Sequence, residues 1–181
     1  MCMRTPALRC AALMLPLLAL PAHAEMTFSA SDLLSAPETA LGGAIIACAE
    51  GAVDPASADA AFGDAGWTSA EGEGDGTTAW EQGDLWTMYW TEPGFCMVAD
   101  EAISTAEMEV TLLGLTDTPP AMGKDEDGCT TYDLGSVVAT LTSSGNDPTC
   151  ASDSGAALRL DVHVHLAAQC LGFGAQGGGA E

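Results

Sequence analysis

Basic residues are scarce in this chain. Lys and Arg together number 4 against 26 Asp and Glu, for a formal net charge of −22 at pH 7. Arg4 and Arg9 lie in the first 24 residues, so Lys124 and Arg159 are the basic side chains of everything that follows. Nucleic-acid binding is carried by Lys and Arg on phosphates, and this composition excludes it. It argues equally against an anionic membrane surface, and it leaves cations and basic proteins as electrostatically matched partners. Such a charge is also the ordinary means by which a protein stays soluble.

Other absences narrow the chemistry. No G-x-S-x-G elbow occurs, no G-x-x-x-x-G-K-[ST] loop, and no C-x-x-C pair. An elbow-type nucleophile, a phosphate cradle and a thiol-redox or zinc-ribbon motif therefore have no support. Histidines number 3, and two of them, His163 and His165, stand close together near the C-terminus. Carboxylate pairs are so abundant that no particular pair points to acid–base catalysis. An enzyme of unspecified reaction is the weakest of the readings. The longest apolar run, Ala11–Leu20, is too short to span a bilayer.

What is present begins with an export pattern. Arg4 and Arg9 precede the apolar run, and Ala22-His23-Ala24 fits a cleavage site before Glu25. Residues 1–24 are thus expected to be a cleaved signal peptide, 25–171 a single α+β domain, and 172–181 a disordered glycine-rich tail. A periplasmic or secreted location follows, with no membrane insertion after cleavage. Cys48, Cys96, Cys129, Cys150 and Cys170 lie beyond residue 24, and an oxidising compartment favours disulfides among them.

Two turns organise the middle of the chain. Between Thr77 and Asp100, aromatic and β-branched residues are punctuated by Gly83-Asp84 and Pro93-Gly94, which predicts a three-stranded meander. Gln82 is paired with Leu85, and Thr91 with Cys96. Period-two sorting then places Trp80, Leu85, Thr87, Tyr89, Cys96 and Val98 on one face. Ala79, Glu81, Trp86, Met88, Trp90, Met97 and Ala99 share the other. Helices are expected on both sides of this stretch. Ser35-Ala36-Pro37-Glu38 reads as a capping box for a first helix ending near Gly51, and Asp54-Pro55 opens a second that ends before Gly66. Ser104-Thr105-Ala106-Glu107 caps a third, with Met108, Leu112 and Leu115 on one face. Residues 116–128 read as a loop, and strands are predicted over 130–133, 136–141 and 157–165. The fold expected is α+β: an N-terminal helix pair and a disulfide-bonded antiparallel sheet of about five to six strands, with one inserted helix.

Three sets of residues carry candidate chemistry. Trp86, Met88, Trp90 and Met97 form an aromatic and thioether face, suited to a protein, peptide or glycan partner with the acidic residues as a selecting rim. Asp161, His163 and His165 alternate along one strand face and form a possible chelate for zinc, copper or nickel; without it the protein has no cofactor. Cys48 on the buried face of the first helix and Cys96 on the Trp80 side predict one disulfide, and Cys129 with Cys150 a second, which leaves Cys170 over. The acidic loops at 71–76 and 125–128 are incomplete as calcium loops, since neither carries the glutamate required at the twelfth position.

Overall fold

The computed structural model describes residues 26, 28–72, 74 and 76–163. The chain first forms α1 (Ala30–Leu34), α2 (Ala40–Val53) and α3 (Pro55–Asp64), followed by β1 (Thr68–Glu71), β2 (Thr77–Gln82), β3 (Leu85–Trp90) and β4 (Phe95–Asp100). Then come α4 (Thr105–Gly114), β5 (Ala121–Lys124), β6 (Thr130–Asp133), β7 (Val137–Ser143) and β8 (Ala156–Val162). All neighbouring strands are antiparallel and make one sheet in the order β1-β2-β3-β4-β8-β7-β6-β5. Two four-stranded meanders therefore meet at β4 and β8.

All four helices lie on one side of this sheet. α2 crosses β3, β4, β8 and β7, α4 packs on β7 and β8, and α1 and α3 pack on α2. Of the side chains aimed at them, Tyr89, Cys96, Val98, Leu158, Leu160 and Val137 are at most 1% exposed. α2 is buried almost all round because it is made of small residues, and close approach requires them. A Cβ at Gly43 would stand 2.6 Å from the Leu34 backbone nitrogen, and one at Gly51 would stand 2.5 Å from the Ala58 Cβ. Phe62 closes the layer, its ring centroid 4.9 Å from that of Trp67. α4 starts with the expected box: the Ser104 hydroxyl accepts from the Glu107 N–H, and the Glu107 carboxylate accepts from the Ser104 N–H at 2.8 Å. Met108 and Leu112 of this helix, and Leu115 at its C-cap, are buried.

Both expected disulfides are present. Cys48–Cys96 ties α2 to β4 inside the core with its Cα atoms 5.4 Å apart, and both residues are fully buried. Cys129–Cys150 joins the β5–β6 turn to the β7–β8 connection at the surface. Cys170 lies outside the described residues, as do His165 and the expected signal and tail segments.

Several expectations are corrected. The sheet has eight strands rather than five or six. The extra two, β1 and β5, are four-residue edge strands, β5 exposed throughout, and pairing with β2 and β6 gives them their form. The N-terminal pair is a trio, because α1 precedes it. Ser35–Glu38 is the turn between α1 and α2 rather than a capping box. Thr39 stabilises that turn, its hydroxyl donating to the Leu33 carbonyl at 2.7 Å. Gly51 lies within α2, where it admits α3, and does not end the helix. Tyr89, not Thr91, stands opposite Cys96. Phe95 joins the strand because the Gly94 N–H bonds Ala52 O and the Gly94 carbonyl accepts from Val162. The slip is by two residues, so every side chain keeps its predicted face.

Candidate functional site

The register builds the outer face in rows. One row crosses the sheet as Glu81, Trp86, Ala99, Ala157 and Thr142, and the next as Ala79, Met88, Met97, Arg159, Thr140 and Thr131. In the third, Phe95 is paired with Asp161, and Trp90 lies beside Phe95 with ring centroids 5.4 Å apart. None of the helices packs on these rows. Trp90 is 48% exposed, and Trp86, Met88 and Met97 are half-buried. The four residues singled out for an aromatic face are thus brought together on adjacent strands.

Two residues of this face carry no motif and escape a reading of the sequence. Phe95 falls in the expected turn, and Arg159 is an isolated cation on β8. The structure pairs them: the Arg159 guanidinium carbon stands 4.8 Å from the Phe95 ring centroid. The same guanidinium donates to both carboxylate oxygens of Asp161, at 2.8 Å from Nε and 2.9 Å from Nη2. Hydrogen bonding to that carboxylate holds Arg159 above its ordinary pKa. Alternation at i and i+2 on β8 was the one sequence signal linking Arg159 to Asp161.

A groove with a volume of about 640 Å³ runs over this face. Trp86 and Met97 line one side, and Ala157, Thr140 and Thr142 lie along its floor. Ala157 and Ala99 are almost fully buried. Small residues there give the groove depth between Trp86 and the loops. The far wall is built from the 125–127 turn and the 144–148 connection, with Glu101 at the rim. These loops are held firmly. Asp125 accepts from the N–H groups of Asp127 and Cys129 at 3.1 and 2.8 Å, Gly128 adopts φ +85, and Cys129–Cys150 links one loop to the other. Ser144 donates to Glu101 at 2.9 Å, which holds the rim carboxylate against the same wall. Asp125 thus acts as a turn anchor, while Glu126 and Asp127 are exposed.

Asp161 and His163 do not converge. Both oxygens of Asp161 accept from Arg159. His163 Nε2 lies 3.2 Å from the Asp133 carboxylate instead. His165 lies outside the described residues. Among the described residues no group of three His, Cys, Asp or Glu is placed to hold a metal ion. A second, smaller cleft of about 360 Å³ opens at the seam of α2 and the β6–β7 turn, lined by Met26, Ile46, Val53, Leu134 and Val137, with Glu50 and Asp54 at its edge. Its apolar walls continue the core.

No family model, curated protein or solved structure matches this chain. Among the described residues, no helix is long and apolar enough to cross a membrane.

Proposed function

We propose that this chain is an exported, non-catalytic binding module whose site is the outer sheet face, with a protein, peptide or glycan lying across Trp86, Met88, Trp90 and Met97. One observation carries the reading. α1 to α4 all pack on the opposite face, so rigid aromatic and thioether area faces solvent where a monomer ordinarily covers it. Aromatic side chains give contact area at low entropic cost, and a groove beside them supplies shape. Export is supported by the two disulfides and by the leader-like first 24 residues.

Acrylamide quenching tests the face. In dilute monomeric protein, Trp90→Phe and Trp86→Phe should each remove quenchable fluorescence, Trp90→Phe the larger share. Equal quenching of the parent and both variants would show the two rings shielded and would sink the reading. N-terminal sequencing of exported material tests the leader, with Glu25 as the expected first residue.

A further inference from the structure

The outer face already holds one cation between an aromatic ring and a carboxylate, and that cation belongs to the chain. Arg159 lies over Phe95 and is gripped by Asp161. Cation–π contact and a two-point carboxylate pair are general means of capturing a guanidinium or ammonium group. The Trp86 end of the same groove has the same ingredients. Trp86 lies two rows from Phe95, about 14 Å away at strand spacing. Facing it across the groove are Glu126 and Asp127 on the far wall, with Glu101 at the rim. None of the three forms an ion pair with a cation among the described residues. Three carboxylates in one groove of a chain with net charge −22 repel one another, and an incoming cation relieves that repulsion. A neutral glycan would leave it in place.

Resting on the reading of this face as a binding surface, we infer that the groove beside Trp86 receives the lysine or arginine side chains of a basic peptide segment. Its side chains lie along the groove between the Trp86 ring on one side and Glu126 and Asp127 on the other, with Glu101 at the rim. Arg159 sets the far limit of the subsite: its charge turns a second cation away from Phe95 and directs it to the Trp86 end.

The test uses the full disulfide-bonded chain and an acetylated, amidated peptide of alternating lysine and glycine, followed by calorimetry. The same peptide with glutamate for lysine is the control. Glu126→Gln with Asp127→Asn should weaken lysine-peptide binding about tenfold, the size of one or two charge-assisted contacts. Asp32→Asn with Glu38→Gln removes the same charge from exposed positions on the helix side, and should change binding less than about twofold. Equal loss in the two pairs would mean diffuse attraction and overturn the subsite. So would no binding by the parent chain, or tighter binding of maltohexaose that ignores both pairs. If Trp90 is quenchable but the lysine peptide does not bind, the subsite fails while the face stands; if both rings are shielded, both fail.

Discussion

Arg159 and Leu160 are neighbours in the chain and stand on opposite faces of β8. Leu160 is fully buried beneath α2, with Cys96 and Ala139 opposite it on β4 and β7. Arg159 is more than half exposed and is held by a ring and a carboxylate. The inner face is fixed by packing, in which each side chain has many neighbours and little freedom. The outer face is fixed by pairs. Strand alternation lets the first dictate the second: once Leu158 and Leu160 are seated, Arg159 and Asp161 have their places. The outer residues thus receive a rigid platform without having to build it.

Breaking the platform should cost most. Cys48→Ala with Cys96→Ala should destabilise by about 4 kcal/mol on the chain-entropy model, read by urea unfolding. Cys129→Ser with Cys150→Ser opens a shorter disulfide loop and should cost about 3 kcal/mol, with loss of the groove wall as well. Leu160→Ala should also cost about 3 kcal/mol, while Arg159→Ala beside it should cost less than about 1. Comparable losses from these neighbours would erase the distinction between the faces.

Thr87 sharpens the comparison from the other direction. It is a hydroxyl on the inner face, fully buried, and among the described residues its Oγ1 finds no hydrogen-bond partner. Thr87→Val should raise stability by about 1 kcal/mol in the same unfolding assay.

The smallest expected effect is a change in pH dependence. Burial, with the Asp59 carboxylate nearby, raises the Tyr89 hydroxyl to about 12 from an ordinary value of 10.0. The folded state therefore keeps its proton after the unfolded state has lost it. Stability from this group is complete below pH 10 and falls as pH rises towards 12. Tyr89→Phe should flatten the alkaline slope of a thermal melt. Part of the slope should remain, since burial and the bond to Glu109 also raise Tyr132.

What was legible in the sequence follows the same division. The meander, the α4 box and both disulfides were readable because each rests on local chemistry or on period two: Gly83 in its turn, Ser104 with Glu107, and Cys96 on the Tyr89 face. β1 and β5 were not. Thr68–Glu71 and Ala121–Lys124 have almost no strand-forming side chains, and the neighbouring strand imposes their conformation. Tertiary contact likewise kept Gly51 inside a helix it was expected to end. At the site, Trp86, Met88, Trp90 and Met97 were legible by alternation. The pairing of Arg159 with Phe95 was not, because it joins strands more than sixty residues apart in sequence. The Cys129–Cys150 link was foreseen, but not that it builds a groove wall.

The strand order also sets a timetable. β4 and β8 form the central seam, yet β8 is the last of the described strands in chain order. Until it arrives, the first meander has an unpaired edge at β4 and the second an unpaired edge at β7. The seam that joins them spans about sixty residues of chain and carries the loop-closure entropy of that distance. The strand that carries Arg159 and Leu160 therefore closes two sheet edges at once, one at β4 and one at β7, and an edge left open is a template for a strand from another chain.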